Sequence, residues 1–344
     1  MTIIWLWIGF VAFVIFLLAL DLGVFHRKAH VPGLGESIAW TVLWIVTALL
    51  FNVAIYFIYE NHLCHAGESD GKNVLGGLEA AKLFLTGYLI EKSLSLDNIF
   101  VIGMVFSFFA VPPIYQHRVL FWGILGALVL RAAMILLGVA LIQMFHWMLY
   151  VFGALLLLTA IKMLLHRHEE VHPENNPLVT LVQRFFRVTS NYHEDHFFVK
   201  ENGLWTATPM LLVLLVVESY DVIFAIDSIP AIFAITQDPF IVFTSNIFAI
   251  LGLRSLYFVM AAMIAKFRYL KVSLSVILAY VGVKLLVQDV IHHYHLGSLM
   301  NWVSLGVILV TMFLGVLASV WANKRSDEGH RPLGNDPMST TEIR

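Results

Sequence analysis

The chain is 344 residues long, 60% hydrophobic and only 13% charged, with a mean hydropathy of +0.83. An ordinary soluble domain is about a quarter charged, so this composition excludes a soluble globular fold and points to an all-α, polytopic membrane protein. With a net charge of −2 and no basic patch interleaved with aromatics, no nucleic-acid partner is expected. The single cysteine, Cys64, excludes an internal disulfide framework and a Cys₂-type zinc site.

Crossing a hydrocarbon layer of roughly 30 Å takes about 20 mostly apolar helical residues. About nine stretches qualify, at approximately 3–25, 38–59, 83–109, 118–142, 146–165, 206–235, 240–265, 272–290 and 299–322. No basic residue precedes the first, which opens with Trp5 and Trp7. It therefore lacks the positive n-region of a signal peptide and reads as an uncleaved helix. The long run from 118 to 165 is split between Gln143 and His146, where polar residues interrupt it. Gly123, Gly126 and Gly138 in that run are expected to let a neighbouring helix approach closely.

These spans divide the chain. Residues 1–82 carry two helices and an outer acidic loop, 83–165 a three-helix unit, and 166–205 a polar inner loop. A second three-helix unit follows over 206–290, then a last helix over 291–322 and a polar tail over 323–344 that is expected to be disordered. Orientation follows from Lys and Arg. With the N-terminus outside, the inner segments hold fourteen of them and the outer segments two, Lys72 and Lys82. The expectation is a multi-pass protein of the bacterial inner membrane, N-terminus outside and C-terminus in the cytoplasm.

The two three-helix units resemble each other. Asp97-Asn98-Ile99-Phe100-Val101-Ile102 parallels Asp221-Val222-Ile223-Phe224-Ala225-Ile226, Leu130-Arg131 parallels Leu253-Arg254, and Lys162-Met163-Leu164 parallels Lys284-Leu285-Leu286. The offsets of 124, 123 and 122 are nearly constant. Chance likeness between apolar helices explains shared Leu and Ile, but not shared Asp, Arg and Lys. A three-helix unit reverses direction when repeated, giving a three-plus-three inverted repeat, an architecture of transporters with a site at the repeat interface.

Five acids lie deep in the spans, Glu91, Asp97, Glu218, Asp221 and Asp227, with five bases, Lys92, Arg131, Lys162, Arg254 and Lys284. Each charge at a helix centre costs roughly 2.5–3.5 kcal/mol, so they are expected to face protein or water. Lys162 and Lys284 lie near helix ends, within reach of snorkelling. Lys92, Arg131 and Arg254 are expected to pair with the acids, in a structural or gating role. About two acidic charges then remain, which a divalent cation would balance, or protonation equally well.

On unbroken helices Glu218 and Asp221 point about 60° apart, whereas Glu91 and Asp97, and Asp221 and Asp227, point about 120° apart. All five converge only if the helices bend or unwind. Pro230 withholds a donor from the carbonyl of Ile226, and the run Ser93, Ser95, Asp97, Asn98 suits the cap of a half-helix. Both acidic helices are therefore expected to break, as is tolerated where backbone lines a cavity. The donors are oxygens, which suit Mg²⁺, Ca²⁺ or Mn²⁺. Metal-cation transport, proton-coupled transport of another solute, and an internal salt-bridge network all remain open.

The segments Glu91-Lys92-Ser93-Leu94-Ser95-Leu96-Asp97-Asn98 and Glu218-Ser219-Tyr220-Asp221-Val222-Ile223-Phe224-Ala225-Ile226-Asp227-Ser228-Ile229-Pro230-Ala231 resemble the two signature segments of the TerC family, most closely its Alx branch. The likeness runs over roughly 5–322 and includes Phe240-Ile241-Val242-Phe243-Thr244-Ser245-Asn246. It implies membership of the LysE-type transporter superfamily and a role in manganese efflux. The implied metal pathway is Glu91, Asp97, Glu218, Asp221 and Asp227, with Asn98 and Ser228 as additions. A pathway lined by negative charge suits tellurite, an oxyanion linked to the family name, poorly.

The expected function is export of Mn²⁺ from the cytoplasm, with no enzymatic activity and no resident cofactor. One repeat would rock against the other, Arg131 and Arg254 pairing with the acids when the ion leaves. A membrane assembly or metalation factor acting with a translocase is the alternative, and amino-acid export suits so acidic a site poorly. Besides the lipid bilayer and the transported ion, a second copy of the chain or a translocase is a candidate partner. The histidines at 166–172, 193–196, 292–295, 62 and 65 are expected to lie in solvated loops.

Overall fold

The computed structural model describes residues 3–23, 33–69, 73–145, 147–165, 179–180, 184, 187–189, 191–193, 196–201, 203–261, 270–294 and 296–329. Helices α1 (Ile3–Gly23) and α2 (Leu34–Glu60) are followed by a tight turn and a two-stranded hairpin, β1 (Glu68–Ser69) and β2 (Asn73–Val74). Then come α3 (Gly77–Phe108), α4 (Pro113–Met144) and α5 (Met148–Leu165). A second hairpin, β3 (Phe198–Glu201) and β4 (Leu204–Ala207), pairs antiparallel with Lys200 opposite Trp205. The chain continues through α6 (Pro209–Phe233), α7 (Pro239–Leu251), α8 (Leu253–Ala261), α9 (Leu270–Leu286), α10 (Gln288–His293) and α11 (Gly297–Gly329).

The helix starts follow local chemistry. α4, α6 and α7 each open with proline, whose missing N–H is no loss at a first helical position. Asp238 caps α7, its Oδ1 accepting from the N–H of Phe240 at 3.0 Å and of Ile241 at 3.1 Å. The same oxygen accepts from the Tyr59 hydroxyl at 2.9 Å, tying the end of α2 to the start of α7. Glu60 accepts from the N–H of Gly77 at 3.0 Å, fixing the start of α3. The run expected to split between Gln143 and His146 does so, α4 stopping at Met144 and α5 starting at Met148.

Among the described residues, five helices are long and apolar enough to cross a membrane: α2, α4, α5, α6 and α11. α7 and α8, bent by 43° across Gly252, add a sixth if counted as one broken span. α1, α3 and α9 fall short of that criterion and occupy the other three stretches expected to span. The fold is that of an all-α polytopic membrane protein, with large apolar side chains such as Leu50, Leu136, Leu165 and Phe313 on its outside.

Helix breaks do not fall where the sequence placed them. α3 runs unbroken through all of its acids. Ser93 and Ser95 do not cap a half-helix; their hydroxyls donate back to the carbonyls of Leu89 and Glu91, each at 2.5 Å, a bond that leaves the helix intact. α6 is likewise continuous through Pro230, near its end, the proline withholding one bond from the Ile226 carbonyl without breaking the helix. The break lies instead in α7–α8.

Packing is reciprocal between the two three-helix units. α3 packs on α7 as α6 packs on α4, while α3 meets α6 and α5 meets α9. Gly153 and Gly282 lie against each other between α5 and α9, each with the other's carbonyl oxygen 3.0 Å from where a Cβ would sit. Gly123, Gly126 and Gly138 face Val217, Glu218 and Phe233 of α6, so the glycines of α4 do admit a close neighbour. α2 flanks α3 and α8, and α11 flanks α9 and α3. Phe10, Phe51, Phe84 and Phe248 form an aromatic cluster that secures α1 and α2 to the core, with Phe51 and Phe248 centred 4.6 Å apart.

His62 and His65 lie in the turn after α2, and His193 and His196 precede β3. The segment 166–172 and His295 lie outside the described residues, as do Arg27, Lys28, Lys72, Arg167, Lys266, Arg268, Arg331 and Arg344. The helix α11 continues to Gly329, beyond the expected end of the last span, and 330–344 lie outside the described residues.

Candidate functional site

Four helices, two from each unit, converge on Arg131. Its guanidinium, 2% exposed, pairs with Glu91 of α3, itself fully buried. The same group donates to Asn246 Oδ1 of α7 at 3.1 Å and to Asp221 Oδ1 of α6 at 3.3 Å. Asn246 is held for this by its own amide, which donates to the carbonyl of Val242 at 3.1 Å. Among the described residues, Glu91 Oε2, Asp221 Oδ2 and Arg131 Nε have no hydrogen-bond partner. Buried polar atoms are seldom left this way, so the centre holds spare coordinating capacity.

A cavity opens beside this ion pair. Asp221, Asn98 and Tyr220 give it a polar side, and Ile102, Leu120 and Phe224 are among its apolar walls. Asn98 Oδ1 is a third buried acceptor without a partner among the described residues. Asn98 therefore joins Asp221 at the cavity, as the sequence grouped them.

Glu218 lies one turn before Asp221, within electrostatic reach of it. Its carboxyl rests in the space left by the absent side chain of Gly126, and its Oε2 is unpartnered.

The other two acids stand apart. Asp227 Oδ1 accepts from the Thr159 hydroxyl of α5 at 2.9 Å, with Lys162 in electrostatic reach. Asp97 has Lys271 of α9 as its charged neighbour. Among the described residues, no three His, Cys, Asp or Glu side chains come together as a metal-holding group. Two features account for this. The helices stay unbroken, so Asp97 and Asp227 keep pointing away, and Arg131 fills the space between Glu91 and Asp221.

Lys92 departs from its expected role. Its ammonium donates to the carbonyl of Ala249 at 3.2 Å, beside the bare face of Gly252. A cation at the C-terminal end of a helix is favourable, so Lys92 serves the break after α7. Arg254, the counterpart of Arg131, lies buried just beyond that break. Lys284 is buried too, donating to Ser304 at 3.1 Å and Asn301 at 3.4 Å, and does not snorkel. Ser228 is buried with its hydroxyl unpartnered. Sequence reasoning missed Asn246 and Thr159 as partners of charged groups, because neutral polar residues in apolar helices carry little signal. Their signal was position alone, since Asn246 ends a segment shared with the family.

Comparisons with known proteins agree with this architecture. The family model described as "Integral membrane protein TerC family" matches residues 77–327. An uncharacterized membrane protein of Myxococcus xanthus, STKORF319, is 50% identical over 315 residues, 92% of each chain. Alx of Escherichia coli (strain K12), whose name provisionally describes a membrane-bound redox modulator, is 46% identical over 324 residues, 94% of this chain and 96% of its own. An uncharacterized membrane protein of Rickettsia bellii is 41% identical over 314 residues, 91% and 96% of the two chains. No solved structure matches. With the family match spanning most of the chain and relatives aligned nearly end to end, the chain belongs to the TerC family of integral membrane proteins.

Proposed function

We propose that the chain exports divalent manganese from the cytoplasm of a bacterium through the centre formed by Glu91, Asp221 and Glu218, across the inner membrane. The observation that carries this reading is Arg131, a buried cation held between acids of the two units beside a cavity with unpartnered oxygens. When ionised, Glu91, Asp221 and Glu218 outweigh one guanidinium by the charge of a divalent ion. Arg131 acts as a tethered cation that offsets part of this negative charge when the ion is away. Withdrawing it frees Glu91 and Asp221 toward the cavity, where Asn98 adds an amide oxygen. These hard donors suit Mn²⁺, Mg²⁺ and Ca²⁺, and among these the family resemblance supports manganese.

Asp97 and Asp227 act as stations on either side of the centre. They lie about two turns along α3 and α6 from Glu91 and Asp221, or about 9 Å. The units form an inverted repeat, so these helices run oppositely and the stations lie toward opposite faces. With the N-terminus outside, Asn98, Ile102 and Leu120 of the cavity wall lie toward the cytoplasmic end, and Asp97 lies on that side. The name of the Alx relative points to redox modulation; with one cysteine this chain has no internal dithiol, and we assign any such effect to the manganese level.

Mn²⁺ flux in proteoliposomes tests this, comparing wild type with Asp97→Asn and Asp221→Asn. Flux in the wild type, abolished in both variants, is the expected result. Equal flux in all three removes these carboxylates from the pathway. No flux from a correctly folded wild type gives way to the partner-dependent assembly factor.

A further inference from the structure

Gly126 holds a position that close helix packing alone does not explain. At Gly123 a Cβ would meet Val217 at an ordinary 3.6 Å. At Gly126 it would run into the Glu218 carboxyl, with Oε2 at 2.6 Å. What occupies the vacant side-chain volume is thus a charged group of the proposed ion centre. Glu218 gains little there, since Oε2 finds no hydrogen-bond partner among the described residues. Glu218 is also absent from the cavity wall that Asp221 and Asn98 share. A carboxyl with a free oxygen, set one turn from Asp221 yet outside the cavity, is stowed rather than bonded.

We propose that Gly126 is a positioning residue whose missing side chain forms a parking niche for Glu218. This rests on the reading of the centre as an ion pathway. In the parked state two carboxylates, Glu91 and Asp221, face Arg131. On ion arrival Glu218 swings out of the niche and supplies a third, completing a set of oxygen ligands. Its return to the niche weakens the site and releases the ion. A carboxylate that alternates between niche and site lets one centre bind and release the same ion.

The test is Mn²⁺ transport by Gly126→Ala, alone and with Glu218→Asp, in proteoliposomes. A methyl in the niche holds Glu218 in the ligating position, so KM is expected to fall and the maximal rate to fall about tenfold or more, release having become limiting. Glu218→Asp withdraws the carboxyl by one methylene and restores rate and KM toward those of Glu218→Asp alone. An unchanged KM and rate in Gly126→Ala overturns the proposal, as does a lost rate that Glu218→Asp does not relieve. If Gly126→Ala fails to fold, Gly126→Ala with Glu218→Ala decides. Recovery of a monodisperse protein shows that the niche serves the carboxyl, and continued misfolding shows that it serves helix packing and overturns the proposal. Wild type that carries no Mn²⁺ overturns the ion pathway and the niche together, whereas failure of the variants alone leaves the pathway standing.

Discussion

Arg131 and Glu91 form the most consequential contact at the scale of single residues, because both are almost wholly removed from solvent. Removing one partner of a buried ion pair strands the other and costs about 3–5 kcal/mol. Arg131→Met is therefore expected to lower the melting temperature in detergent sharply, and adding Glu91→Gln to recover most of that loss. Equal melting of Arg131→Met and wild type would show that the pair does not hold the helices together. The charged members of this centre were legible in the sequence because a charge in an apolar span has few acceptable places. Lys92 was misassigned by the same logic. Its charge demanded a partner, but a backbone carbonyl at a helix break satisfies an ammonium as a carboxylate does, and nothing in the local sequence marks Ala249 as that carbonyl.

Whole helices were easier to foresee than their interruptions. The split between α4 and α5 was visible as polar residues in an overlong apolar run. The break between α7 and α8 was not, because Gly252 resembles the packing glycines of α4 and only its neighbours, Lys92 and Trp44, distinguish it. Pro230 misled because a proline can distort a helix without breaking it, and α6 runs through Pro230 to Phe233. The capped start of α7 yields a pH prediction. Burial holds the Asp238 carboxyl above the usual carboxylate range, partly offset by the N–H donors of Ile241 and Phe240 and by the Tyr59 hydroxyl. The folded chain thus keeps this proton at a pH where the unfolded chain has lost it. Its contribution is complete below the unfolded value of about 3.9 and declines as pH rises through the folded value. The melting-temperature advantage of wild type over Asp238→Asn, which retains a capping oxygen, should shrink from acid toward neutral pH. An advantage that grows with pH would reverse the assignment.

For the molecule as a whole, composition and the spacing of charged landmarks told most of what the fold then displayed. The paired landmarks at offsets of 124, 123 and 122 fall on α3 and α6, on α4 and α8, and on α5 and α9, and α8 continues from α7, which packs on α3 as α6 packs on α4. What the sequence withheld was the state of the site, since the seating of Arg131 among its acids depends on helices that are far apart in the chain. Orientation is open to a direct check through the lone cysteine. Cys64 lies in the turn between α2 and α3, which the distribution of Lys and Arg puts outside. A membrane-impermeant maleimide applied to right-side-out vesicles should label wild type and not Cys64→Ser. Labelling only after the vesicles are opened would invert the topology and make the proposed exporter an importer.

The contact between Gly153 and Gly282 has a mechanical consequence. When two rigid bodies turn against each other, displacement vanishes at the axis and grows with distance from it. Only near the axis can backbones remain in van der Waals contact throughout the motion, since elsewhere such tight packing would jam. The seam between α5 and α9 is thus suited to be the bearing of the molecule. In the proposed transport cycle the seams of α3 with α7 and of α4 with α6, which carry the proposed ion centre, are then the jaws that the bearing lets open.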